Sequence, residues 1–70
     1  MFGKYLRVER ARRGWTQAEA AAAFGVKQST VSDWELNNRM PPLRRLRNVA
    51  TVLGCSVLDL IEEEEEAGPK

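Results

Sequence analysis

Histidine is absent from this chain of 70 residues, and cysteine occurs once, at Cys55. The first absence removes the commonest general base and any Cys/His zinc site. The second rules out an intrachain disulfide. Cys55 lies among apolar residues in LGCSVLDL and reads as a buried structural thiol. No apolar run approaches the roughly 18 residues of a membrane span. The opening MFGKYLRVER lacks the apolar core of a signal peptide. A reducing cytoplasm is therefore the expected compartment, with no membrane partner. Aromatic residues are scarce: two Trp, two Phe and one Tyr. Several are needed for a core, which argues against single-stranded RNA binding by base stacking. There is no glycine-rich phosphate loop, no metal-ligand spacing and no paired acids away from the C-terminal end. Neither an enzyme nor a cofactor is expected, and no metal.

Charge is what the chain has, and it is unevenly spread. Residues 1–54 hold ten Lys and Arg against four acids, a balance of +6. Residues 55–70 hold Asp59 and Glu62 to Glu66 against Lys70, a balance of −5. A basic body with an acidic end is an informative charge asymmetry. The glutamate run reads either as a solvated terminus or as a tail that competes with a polyanion for the basic face. At this length one domain is expected, over residues 1–63, with a disordered acidic tail at 64–70.

Helical periodicity accounts for the rest, with no internal repeat and no strand pattern. Phe2, Tyr5 and Leu6 open a helix that runs to about Arg13, and Gly14 follows it. Thr16 with Glu19 makes a capping box, so a second helix starts near Gln17 and runs through AEAAAAF to Gly25. A short turn leads into a third helix, 28–36, whose first cap, Lys27, is poor. Asn37 and Asn38 end it, and Pro41-Pro42 lead into a fourth. Leu43, Leu46, Val49, Ala50 and Leu53 form the expected apolar face of that helix, and Gly54 stops it. Ser56 caps a fifth, carrying Val57, Leu60 and Ile61. The expected fold class is all-α, five short helices. Residues 17–36 are two helices joined by a turn containing Gly25, a helix-turn-helix unit.

On the third helix, Gln28, Ser29, Ser32, Asp33 and Leu36 share one arc, with Val31 and Trp34 opposite. Val31 and Trp34 are expected in the core. The polar arc is either plain solvated surface or a surface for reading bases. Short amide and hydroxyl side chains let a helix sit deep in the major groove. Gln can bond adenine twice, Ser can donate or accept, and Asp can accept from cytosine. Lys27 stands at the N-terminal end, positioned for guanine or phosphate.

GWTQAEAAAAFGVKQSTVSDWE followed by NNRMPPLRRLRNVATVLGCSVLDLI resembles the Cro/repressor-type (XRE-type) helix-turn-helix family of bacterial and phage regulators. The resemblance covers about residues 5–61 and implies a lambda-repressor-like domain with its third helix in the major groove. It implies base contacts for Lys27, Gln28, Ser29, Ser32 and Asp33. It implies backbone contacts for Gln17, Thr30, Asn37, Asn38, Arg39 and Arg44. It also implies a structural ion pair between Arg10 and Glu35. Ala20 stands where the family usually has leucine, leaving volume for Trp15, Phe24 and Trp34 to fill. Asn37 replaces the usual glycine, and Glu9 a frequent leucine.

The function these features lead to is sequence-specific binding of a double-stranded DNA operator, as a repressor and a two-fold dimer. Apolar residues left over from the core put the homodimer surface at Met40, Val57, Leu58 and Ile61. The alternative is an antitoxin or adaptor whose acidic C-terminus engages a protein partner.

Overall fold

The computed structural model describes residues 2–66, with side chains through residue 61. It contains, among the described residues, α1 (Phe2–Arg12), α2 (Gln17–Phe24), α3 (Gln28–Leu36), α4 (Leu43–Leu53) and α5 (Val57–Glu66), and no strand. The backbone of α5 takes in positions 64–66, which the sequence reading gave to the tail. Glutamate is a good helix former, so nothing in its propensity stops the helix there. The remainder of the expected tail, 67–70, lies outside the described residues.

Local chemistry explains the helix ends. The Glu19 N–H donates to Thr16 Oγ1 at 3.1 Å, and the Thr16 N–H donates to Glu19 Oε1 at 2.8 Å. These reciprocal bonds satisfy two donors that the first turn of α2 would otherwise leave bare. Ser56 and Asp59 repeat the device ahead of α5, at 3.2 and 3.1 Å. The turn between α2 and α3 needs a left-handed residue, and Gly25 supplies it at φ +72°. The following Val26 N–H returns to the Ala21 carbonyl at 3.0 Å, closing α2. After α3 the left-handed residue is Asn38, at φ +53°. Asn37 is at φ −99°, and its N–H bonds back to the Asp33 carbonyl at 2.9 Å.

The helices pack as α1 on α3 and α5, α2 on α3 and α4, and α4 on α5. Phe2, Leu6, Phe24, Val31, Val49 and Leu60 are fully enclosed between them. Ala20 is also fully buried. Aromatic rings supply the bulk nearby: Trp15 meets Phe24 edge-on at 6.1 Å, Phe24 meets Trp34 at 6.5 Å, and Trp34 meets Phe2 edge-on at 5.9 Å. That row ties the loop before α2 to α2, α3 and α1 in turn, in geometries aromatic pairs favour. Two polar contacts fasten the ends. Arg13 Nη2 donates to the Leu53 carbonyl at 2.9 Å, and Asn48 Nδ2 donates to the Phe24 carbonyl.

Two expectations about apolar residues need correcting. Leu43 is 59% exposed rather than facing the core. It is the first residue of α4, and helical side chains lean toward the N-terminus, so it overhangs the end. The buried residue there is Pro41. Val57, expected to be left over, packs against the core cluster. As the first residue of α5, it lies where that helix meets the body.

Candidate nucleic-acid interface

The site is the outer arc of α3 with the segments at its two ends. Val31 and Trp34 are 0% and 5% exposed, which fixes the rotation of α3 about its axis. The opposite side must then face outward. Lys27, Gln28 and Ser29 are exposed there, and Thr30, Ser32 and Asp33 are half-buried. Leu36 completes the arc at 77% exposure. Lys27 makes no side-chain cap on α3, as its chemistry predicts.

The far end of α3 is held by an ion pair. Arg10 Nε donates to Glu35 Oε2 at 2.7 Å and Nη2 donates to Glu35 Oε1 at 3.0 Å. The side chains of Arg10 and Glu35 are 19% and 4% exposed, so water screens the pair poorly. The Arg10–Glu35 pair that the family pattern implies is therefore present. Burial pushes the Glu35 carboxyl up. Hydrogen bonds from Arg10 and Gln17 and the charges of Arg10 and Arg7 outweigh it, and the net result lies below the usual carboxylate range. Arg10 moves up correspondingly, chiefly through its hydrogen bond to Glu35.

Apart from the half-buried Thr30, the anticipated backbone contacts divide into two groups. Gln17 Nε2 donates to Glu35 Oε1 at 3.1 Å, which turns this amide toward α3. Asn38 Oδ1 accepts from the Gly3 N–H at 2.9 Å, capping the start of α1. Those two are drawn into the body. Asn37, Arg39 and Arg44 are exposed. Asp33, expected to accept from a cytosine, turns toward the C-terminal end of the helix instead. It accepts from Asn37 Nδ2 and pairs with Arg39 Nε at 3.3 Å.

Sequence reasoning missed Gly3. A Cβ there would lie 2.6 Å from the Trp34 carbonyl oxygen and 3.1 Å from that of Glu35. Glycine is what lets α1 close on the C-terminal turn of α3. The available signal was a glycine inside an otherwise helical pattern, which marks a close backbone approach. Among the anticipated dimer residues, Met40, Leu58 and Ile61 are 43%, 63% and 37% exposed. No helix among the described residues is long and apolar enough to cross a membrane.

This arrangement is shared with known proteins. A profile for the helix-turn-helix family matches residues 6–60. YazB of Bacillus subtilis strain 168, an uncharacterised HTH-type transcriptional regulator, is 31% identical over 65 residues, covering 93% of this chain and 94% of YazB. The N-terminal DNA-binding domain of SinR from Bacillus subtilis superposes with a TM-score of 0.78 at 32% identity, covering 87% of this chain and 90% of that domain. SinR in its complex with SinI gives 0.80 at 31% identity, covering all of this chain (100%) and 69% of that one. With the profile spanning most of its length, α2, α3 and their turn included, this chain belongs to the XRE-type helix-turn-helix family of transcriptional regulators.

Proposed function

We propose that the chain binds a double-stranded DNA operator sequence-specifically as a two-fold dimer and represses transcription by occupying it. The observation that carries this reading is the division of α3. Val31 and Trp34 are locked into the core, while Lys27, Gln28, Ser29 and Ser32 project from the other side. In this reading Lys27, Gln28, Ser29 and Ser32 meet base edges in the major groove. Thr30, Asn37, Arg39 and Arg44 meet phosphates and set the register. Gln17 meets a phosphate with the amide that Glu35 orients. Asn38 contributes from the loop it shapes. Met40, Leu58 and Ile61 supply the dimer contact, while Val57 packs against the core.

Selection of bound sites from random duplex DNA tests the whole reading. The expected product is a near-palindrome with half-sites about one helical turn apart, roughly 34–36 Å. No enriched sequence would overturn it. An enriched but unsymmetrical single site would overturn the dimer alone.

One observation favours a second reading. SinR, of the same fold, is known in complex with a second protein, SinI. On that reading a protein partner binds this chain through its acidic C-terminal end. Removing residues 62–70 would then abolish capture of the partner while leaving DNA selection intact.

A further inference from the structure

Asp33 is out of place on a surface that meets DNA. It is a carboxylate on the arc that is to lie between two phosphate backbones. An unpaired acid there repels the polyanion at every sequence. The structure does not leave it unpaired. Oδ1 accepts from Asn37 Nδ2, one helical turn away, and Oδ2 pairs with Arg39 Nε at 3.3 Å. The two oxygens thus face two different partners, both beyond the C-terminal end of α3. Both partners belong to the segment read above as meeting phosphate.

The geometry at Arg39 gives this a consequence. Asp33 engages Nε, the inner nitrogen of the guanidinium. The outer edge, Nη1 and Nη2, keeps the planar fork that suits a phosphate. Arg39 is long and its side chain is 69% exposed, so on its own it would sample many rotamers. The ion pair at Nε biases the fork toward one direction, so Arg39 loses less freedom when it binds. The pair is too exposed to add much to folding stability, since the Asp33 side chain is itself 41% exposed.

We propose that Asp33 is a positioning residue rather than a base reader: it holds Arg39 and Asn37 in the orientation that grips the phosphate backbone. This rests on the groove-binding reading given above. It assigns Asp33 to uniform affinity, not to sequence preference.

A double-mutant cycle on DNA binding tests it. The variants are Asp33→Asn, Arg39→Ala and their combination. The probes are the duplex enriched from random DNA and an unrelated duplex of equal length. Asp33→Asn keeps an oxygen for Asn37 but no longer carries the charge that pairs with Arg39. Simple repulsion predicts tighter binding once the negative charge is gone. Positioning predicts the opposite: each single variant loses roughly 3- to 10-fold on both probes. The double variant should lose no more than about 2-fold beyond Arg39→Ala, because the two residues act as one unit. The salt slope should fall by about one in each single variant and no further in the double.

Tighter binding by Asp33→Asn, losses that multiply in the double variant, or a changed preference at one base pair would each overturn the proposal. In those cases the wild-type chain still selects DNA, and the groove reading stands. A wild type that selects nothing overturns the groove reading and this proposal together. Unchanged thermal stability in Asp33→Asn separates the effect from a loss of fold.

Discussion

Glu35 takes both nitrogens of one edge of the Arg10 guanidinium, at 2.7 and 3.0 Å, across 25 positions of chain. The same carboxylate accepts from Gln17 at 3.1 Å. One side chain thereby joins α1, the start of α2 and the end of α3. Arg10 also donates through Nη1 to the Trp15 carbonyl at 3.0 Å, which fixes the loop between the first two helices. Bidentate geometry and burial together favour a strong, directional pair.

Glu35→Gln should therefore be costly. It leaves a guanidinium that is 19% exposed without its counter-charge, and an amide N–H₂ facing it. Breaking one side of such a pair costs about 3 kcal/mol, a large share of the stability of so small a domain. Urea unfolding should show a lower midpoint with an unchanged slope. A loss under about 0.5 kcal/mol would mean that the pair behaves like an exposed one.

The same pair sets a pH dependence. The folded carboxyl of Glu35 lies below its ordinary value, which is about 4.3 in an unfolded chain. Its stabilisation is fully present above that ordinary value. It is lost as pH falls through the lower, folded value, because the unfolded chain takes up the proton first. Unfolding free energy should therefore drop on acidification below about pH 5. Glu35→Gln should show a shallower drop over the same range. Identical acid slopes for the two proteins would remove Glu35 as the source.

Much of this architecture was legible in the sequence because local chemistry dictated it. Thr16 and Glu19 announced α2, Gly25 ended it, and the spacing of Val31 and Trp34 fixed which way α3 faces. That Glu35 is the partner of Arg10 was legible only through the family pattern. What was not legible depended on contacts between distant residues. Gly3 looked like an ordinary helix position until Trp34 and Glu35 were seen against it. Asp33 offered a chemistry, an acceptor, without saying who the donor was. Asn37, four residues on, is within helical reach of it, but periodicity could not reveal that Arg39, past the end of α3, curls back as well. Leu43 failed for a simpler reason: a helical period says which side a residue is on, not that the first turn hangs past the core.

Gly3→Ala weighs two opposed effects. Alanine is the better helix former, by about 1 kcal/mol. Against that, its Cβ would sit 2.6 Å from the Trp34 carbonyl oxygen, a backbone atom that cannot swing aside. Overpacking of this kind costs about 1–3 kcal/mol, so the clash should win and the variant should melt earlier. The shift falls on the C-terminal turn of α3, so Trp34 fluorescence should change as well. A variant more stable than the parent would mean that α1 is free to move off α3.

The base-reading assignment is tested by contrasting two exposed residues, Gln28 on α3 and Arg44 on α4. If Gln28 bonds a base edge, Gln28→Ala costs about 1–3 kcal/mol at one operator position and relaxes the preference there. Random DNA should be bound almost as before. If Arg44 meets a phosphate, Arg44→Ala weakens all sequences alike and lowers the salt slope by about one. The measurement is affinity for the selected duplex, its single-base variants and random DNA across a salt series. Equal losses on operator and random DNA for Gln28→Ala would remove it from the reading face, because a residue that discriminates must lose more where its base is present.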